Sequence, residues 1–360
     1  MVRKCLSGSH GNLRDANLDL LRILATLFVI ILHYNNTGSG KAFLYTAELG
    51  YHYQMLLFLE VCSICAVNIF VLITGYYQSQ SNSISLGKPL TLLAELAVFT
   101  ILRYIAGCAL GNEVFSVSTF LACFLPRNWY IVVYIALYLL SPFLNILISV
   151  LSKKQFKWLL ICLFVVCSCL AYAVDLVNTL TGLEIASPLG LSGSGGGYTL
   201  VSFIFLYFVG AYLRNAETIR SPKIILLISG VVYLFSAFLL FFQARIQFST
   251  ALYYNNPVVI VQAVSLFVLF QSIRFKSAII NSLAKVSFGV YLLHSFFFSF
   301  VNIADQVTGN LLVIPVYAVL SSIGIYLASG AVYYLYSISL GRIVRIAAKR
   351  FKKITICSFP

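Results

Sequence analysis

The sequence predicts an all-α integral membrane protein, a polytopic bundle of about ten transmembrane helices with both termini in the cytoplasm. Hydrophobic residues make up 61% of the chain and charged residues only 9%, whereas about a quarter of the residues in a soluble domain are charged. Long uncharged runs, such as 61–87 and 128–152, suit helices that cross a hydrocarbon core of about 30 Å. Basic residues gather at alternate ends of these runs, and this asymmetry sets the orientation.

The apolar runs define the spans in chain order. We expect them at residues 19–35, 55–77, 89–110, 128–150, 158–175, 198–213, 224–242, 257–273, 287–303 and 313–337. Residues 1–18 then form a cytoplasmic leader, residues 19–340 the transmembrane domain and residues 341–360 a basic cytoplasmic tail.

The net charge of +14 follows from the same topology. Most Lys and Arg residues lie just beyond the predicted cytoplasmic ends of the spans, where they meet anionic lipid head groups. Only Lys41, Arg127 and Arg245 fall on the predicted outer side, while Arg22 and Arg103 lie within spans. A nucleic-acid partner is therefore not expected. The basic run RIVRIAAKRFKKITI is interpreted as a juxtamembrane segment without a site-specific role.

The first span carries the titratable groups that point most directly to function. Arg22 and His33 are eleven residues apart, so they project from one face of a helix and lie about 16 Å apart along its axis. Ionisable residues inside a membrane helix are costly, and a functional role is the default hypothesis for both.

Other polar residues within the spans leave two interpretations each. Glu60 lies at about the depth of His33, where a carboxylate would make the imidazole a better general base, or it faces outer water. Lys88 shares a helix face with Glu95 and lies at the predicted cytoplasmic entrance of the third span. It either binds an anionic donor or is an ordinary basic residue that sets the orientation of the span in the membrane. His294 binds substrate, or it is a packed, hydrogen-bonded histidine.

No metal site is expected from the nine cysteines. Neither Cys62-x-x-Cys65 nor Cys167-x-Cys169 has a second ligand pair at a spacing typical of zinc. The sequence also lacks a Walker loop, a dinucleotide-binding fingerprint and an HExxH motif.

Five segments occur in order over nearly the whole chain: Arg22-x10-His33, VNIFVLITGYY (67–77), NWYIVVYIALYLLSPFLN (128–145), GYTLVSFIFLYFVGAYLR (197–214) and AKVSFGVYLLH (284–294). Together they resemble the membrane-bound acyltransferase-3 family. The resemblance implies an O-acyltransferase of the bacterial plasma membrane that uses cytosolic acyl-CoA, typically acetyl-CoA. The acceptor would be a hydroxyl of a surface or lipid-linked glycan.

The resemblance also implies roles for individual residues. Arg22 would bind the CoA phosphates with help from Lys88, and His33, with Glu60 as its expected partner, would deprotonate the sugar hydroxyl or briefly carry the acyl group. The motif residues expected to bind substrate are Asn68, Trp129, Tyr130 and His294.

One departure and one alternative stay open. Many family members carry paired arginines around the third span, where this chain has only Lys88 and an isolated Arg103, so donor contacts beyond Arg22 are undetermined. A transporter or flippase of a glycan or lipid-linked intermediate would also explain ten spans and buried charges. Transporters often consist of two related halves, however, and no internal repeat is visible. The oligomeric state is not determined.

Overall fold

The computed structural model describes residues 16–355 except 48–49, 82, 112, 184, 186–194, 216–221, 249 and 352. Helices make up 81% of it, which confirms the predicted all-α class. Most of the predicted leader (1–15) and the last residues of the predicted tail (356–360) lie outside the described residues.

The α-helices are α1 (Asn17–Asn35), α2 (Tyr51–Ser63), α3 (Ala66–Gln78), α4 (Gly87–Ala109), α5 (Val117–Ala122), α6 (Trp129–Val150), α7 (Lys153–Phe164), α8 (Leu170–Thr181), α9 (Leu200–Asn215), α10 (Pro222–Arg245), α11 (Pro257–Ser272), α12 (Ala278–Phe297), α13 (Ile303–Thr308), α14 (Ile314–Ile338) and α15 (Leu340–Ala348). A π-helical turn (Val165–Cys169) joins α7 to α8, and single 3-10 turns occur at Ala42–Tyr45, Gly195–Gly197, Phe298–Phe300 and Leu311–Val313. Two strands, β1 (Ser83–Ser85) and β2 (Lys353–Thr355), complete the described elements.

Among the described residues, eight helical segments are long and apolar enough to cross a membrane, with α2–α3 and α7–α8 each forming one continuous segment. The shorter apolar helices α9 and α11 coincide with the predicted sixth and eighth spans. Each has 16 residues and therefore rises about 24 Å. The ten predicted spans thus correspond to ten apolar helical segments of the described chain.

The first helix and the α2–α3 segment are the most buried of the long apolar segments. Within the apolar windows of α1 and α2–α3, 67% and 72% of the residues are buried, against 22–39% in the other long segments. The start of α1 is tied to the end of α11, because the Ala16 N–H donates to the Phe275 carbonyl (2.9 Å) and the Asn17 side chain donates to the Phe270 carbonyl (3.1 Å). A functional group on α1 is therefore surrounded by protein.

Glycines allow the backbones of α3 and α9 to approach each other closely. A Cβ atom on Gly75 of α3 would collide with the Tyr207 carbonyl of α9, and one on Gly210 of α9 would collide with the Leu72 carbonyl of α3. Small residues let helix backbones approach closely where hydrophobic association is weak, as it is in lipid.

The C-terminal segment departs from the simple tail that the sequence predicts. After α14 the chain forms α15, and β2 then pairs antiparallel with β1, with Ile84 opposite Ile354. A Cβ atom on Gly87, at the start of α4, would collide with the Ala348 carbonyl of α15. The segment therefore folds back onto the α3–α4 connection, a contact between distant parts of the chain that local sequence patterns do not reveal.

Candidate active site

Arg22 is held in place by a neighbour on its own helix. Its Nη1 atom donates to Oδ1 of Asp19 at 2.8 Å, and the Arg22 side chain is 26% exposed while that of Asp19 is 3% exposed. Residues three apart lie on one helix face, so this pair is a direct consequence of the sequence. The remaining guanidinium donors are available to a ligand.

Arg22 opens into a cavity of 490 Å³, here named the Arg22 cavity. Its charged lining residues are Arg22, Lys88, Arg345 and Glu95. The structure thus brings the two predicted donor-binding residues, Arg22 and Lys88, to one cavity. Three cations against one carboxylate suit an anionic ligand.

Aromatic side chains and a buried carboxylate order the wall around Lys88. The Lys88 ammonium donates to the Tyr134 hydroxyl at 3.0 Å and lies 4.3 Å from the centre of the Tyr138 ring. Glu95 is buried and accepts a hydrogen bond from the Tyr333 hydroxyl at 3.1 Å. Lys88 and Glu95, which the sequence places on one helix face, both line the cavity.

Arg345 is the cation that the sequence analysis missed. It projects from α15 into the Arg22 cavity, and its Nη2 atom donates to the Ser337 carbonyl at the end of α14. The sequence interpretation gives residues 342–356 no site-specific role, whereas the structure places Arg345 of this segment on the wall of the cavity. The available signal was the amphipathic pattern LGRIVRIAA directly after the last span.

At the other end of α1, His33 meets His294 of α12. Their ring centroids are 4.7 Å apart, and the rings are inclined by 65°. His33 Nδ1 lies 2.9 Å from the Val29 carbonyl, and His294 Nδ1 lies 2.8 Å from the Tyr291 carbonyl. Because a carbonyl only accepts, Nδ1 carries the proton in both neutral rings.

This tautomer leaves both Nε2 atoms as acceptors. His294 Nε2 is buried and has no hydrogen-bond partner within the described part of the chain. Buried polar atoms are normally paired, and an orphan needs an explanation. A hydroxyl group of a bound ligand would supply the missing donor.

A second cavity of 330 Å³, here named the His33 cavity, contains the two histidines. Tyr291 lines both this cavity and the Arg22 cavity, so it lies where the two approach each other. Its hydroxyl donates to Asn128 Oδ1 at 2.9 Å, and the same oxygen accepts from the Ile131 N–H at the start of α6. Asn128 thereby holds the Tyr291 hydroxyl at the N-terminal end of α6.

Glu60 does not form the predicted pair with His33. Its Oε2 atom accepts from Asn35 Nδ2 at 2.8 Å, and the described residues contain no hydrogen bond or ion pair between Glu60 and His33. Asn35 follows His33 by two residues, or about 200° around the helix, so Glu60 approaches the opposite face of α1. A catalytic role for Glu60 stays a prediction, and the structure, which describes both residues, provides no direct contact between Glu60 and His33 to support it.

The predicted substrate-binding residues separate into three places. His294 contacts His33, and Tyr130 lines the Arg22 cavity, with its ring 5.2 Å from that of Tyr291. Asn68 is buried, donates to the Tyr254 carbonyl at 2.9 Å and lines neither cavity.

Trp129 belongs to an aromatic cluster beside the start of α6. Its ring centroid lies 4.7 Å from that of Tyr198 and 6.0 Å from that of Tyr254. Burial raises the pKa of Tyr254 well above its ordinary value, so the phenol stays neutral. The three residues of this cluster do not line either cavity.

Within the described residues, no group of three or more His, Cys, Asp or Glu side chains has an arrangement that would hold a metal ion.

Comparison with known protein families matches residues 15–334 to the sequence model of the acyltransferase-3 family, which is described as an acyltransferase domain. Comparison with curated proteins and comparison with solved structures find no match.

Proposed function

The chain belongs to the acyltransferase-3 family, and from this premise we propose that it is a membrane-bound O-acetyltransferase that moves an acetyl group from acetyl-CoA to a glycan hydroxyl. One observation carries the proposal: a cationic cavity and a histidine-containing cavity lie at opposite ends of α1 and meet at Tyr291. A donor with phosphates at one end and a thioester at the other matches this layout.

The Arg22 cavity provides the donor end. Arg22, Lys88 and Arg345 bind the CoA phosphates, since guanidinium groups form paired hydrogen bonds with phosphate oxygens and an ammonium acts as a point charge. The predicted cytoplasmic position of this end agrees with a cytosolic donor. The pantetheine arm then crosses about 16 Å along α1 to reach His33.

His33 carries out the proton transfer. Its Nε2 atom takes the proton of the sugar hydroxyl as the oxygen attacks the thioester carbonyl carbon. When the carbon–sulfur bond breaks, the imidazolium returns that proton to the departing sulfur, so the products are the acetyl ester and free CoA. His294 Nε2 accepts a hydrogen bond from the acceptor and orients it. The route through an acetylated His33 uses the same atom as a nucleophile.

Mass spectrometry of glycans tests the proposal. A bacterial strain that lacks this gene is complemented with wild type or His33→Ala, and immunoblotting checks that both proteins reach the membrane equally. We expect acetyl ester to disappear on deletion and to return only with wild type. Full restoration by His33→Ala would remove His33 from the mechanism. A change in glycan amount or export without a change in acetylation would favour a transporter.

A further inference from the structure

The His33 cavity is bordered by cations that the proposed chemistry does not use. Arg103 and Arg127 line it, together with a single carboxylate, that of Glu113. Arg103 also lines an adjoining cavity of 490 Å³, here named the Lys41 cavity, whose lining includes Lys41. The two cavities share Arg103 and Ser295 and so form one continuous region beside the histidines.

Within the part of the chain that the structure describes, these cations have no ion-pair partner. The described part of the chain contains no ion pair that joins Arg103, Arg127 or Lys41 to a carboxylate. The Glu113 carboxyl instead lies over α4, where a Cβ atom on Gly107 would come within 3.3 Å of it. By contrast, Arg22 in the other cavity is paired with Asp19.

Their position also runs against the charge distribution of the chain. Apart from Arg245, every Lys or Arg that the predicted topology assigns to the outer side or to the outer part of a span lines one of these two cavities. Basic residues are depleted on the outer side of membrane proteins, so their concentration around one site requires a local reason.

We propose, on the basis of the proposed function, that the acceptor is an anionic glycan whose carboxylate or phosphate is bound by Arg103 and Arg127 while His33 reaches a hydroxyl. A guanidinium matches the paired oxygens of either anion. The carboxylate would belong to an acidic sugar and the phosphate to a glycosyl phosphate, and Lys41 adds a third positive charge.

The test measures ligand binding, so it does not require turnover. The protein is placed in nanodiscs of neutral phosphatidylcholine, and isothermal titration calorimetry compares a methyl glucuronide, a glucose 1-phosphate and the neutral methyl glucoside. We expect the wild type to bind at least one anionic sugar about tenfold or more tightly than the glucoside. Tighter binding of the glucuronide assigns the anion to the sugar, and tighter binding of the phosphate assigns it to a glycosyl phosphate.

Single variants then locate the site. Arg103→Gln and Arg127→Gln should each weaken binding of the anionic sugar about tenfold and leave binding of the glucoside unchanged, while Arg103→Lys should recover part of the loss. Arg245→Gln is the matched control, because Arg245 is exposed and lines neither cavity. Equal binding of charged and neutral sugars, or an equal loss in the Arg245 control, would overturn the inference.

A parallel titration with CoA separates this inference from the proposed function. If wild-type protein binds CoA, Arg22→Ala does not, and wild type shows no preference for anionic sugars, only the inference about the acceptor is contradicted. If wild-type protein does not bind CoA, the proposed acetyl donor is wrong, whatever the sugar titrations give.

Discussion

The Arg22 cavity and the His33 cavity differ in how far their polar groups are already satisfied by the protein. In the Arg22 cavity each cation has a partner: Asp19 for Arg22, Tyr134 for Lys88 and the Ser337 carbonyl for Arg345. In the His33 cavity, the buried Nε2 atom of His294 lacks a partner among the described residues, and the hydrogen bond of His33 engages only its Nδ1 atom. In the proposed mechanism, one end thus holds fixed charges for donor binding, and the other leaves its Nε2 atoms to the substrate.

The histidine end should show the largest loss of activity. His33→Ala removes the proposed general base, and general acid–base catalysis contributes about 10²- to 10⁴-fold. We therefore expect kcat for acetyl transfer to fall by that factor while CoA binding at the Arg22 cavity is unchanged. Steady-state turnover assays and CoA titrations on the same preparation measure kcat and the affinity for CoA. Comparable loss of CoA binding would mean that the two ends are not separate.

Arg22→Ala should affect the donor end in the complementary way. Hydrogen bonds to charged groups contribute about 1.5–3 kcal/mol, so KM for acetyl-CoA should rise about 10- to 100-fold, and kcat should change much less. Steady-state kinetics with varied acetyl-CoA give both constants. A fall in kcat at unchanged KM would place the function of Arg22 in the reaction step instead.

Arg345→Ala should raise KM for acetyl-CoA by a smaller factor, about tenfold, because Arg345 lies on a peripheral helix and is largely exposed. Arg342→Ala is the control: Arg342 is an exposed cation on the same helix but does not line the cavity. If both variants give the same change, the charge of α15 attracts the donor only at long range, and Arg345 has no specific contact.

Gly289→Ala tests the packing behind the Arg22 cavity. A Cβ atom there would collide with the ring of Tyr333, which donates to Glu95. Overpacking of this kind costs about 1–3 kcal/mol, so the thermal unfolding midpoint in detergent should fall. Gly324→Ala is the matched control, since its Cβ atom would meet no heavy atom within 4 Å. If the midpoint falls by the same amount in both variants, the contact between the new Cβ atom and the Tyr333 ring has no destabilising effect of its own.

Glu60→Gln should have the smallest effect on turnover. The amide can still accept the hydrogen bond from Asn35, and Glu60 approaches the face of α1 opposite His33. We expect kcat to change by less than about tenfold, and the pH profile of kcat measured on the same preparations should keep its shape. A loss of 10²-fold or more would instead assign Glu60 to the catalytic step.

The amino-acid sequence by itself determined the fold class, the segments that form the spans and the placement of Arg22 and His33 at the two ends of one helix face. These features are local: an apolar window sets a span, and helical periodicity sets the face. The same local rules account for the Asp19–Arg22 pair and for Lys88 and Glu95 on one cavity.

Only the tertiary structure decided which distant residues meet. His33 and His294 are brought together by the packing of α1 against α12, whereas Glu60 contacts Asn35 because α2 approaches the other face of α1. Arg345 reaches the Arg22 cavity because the chain turns back after α14. Depth estimates place residues at a level of the bundle, but the neighbours of each helix face depend on side-chain packing between helices, which no local pattern specifies.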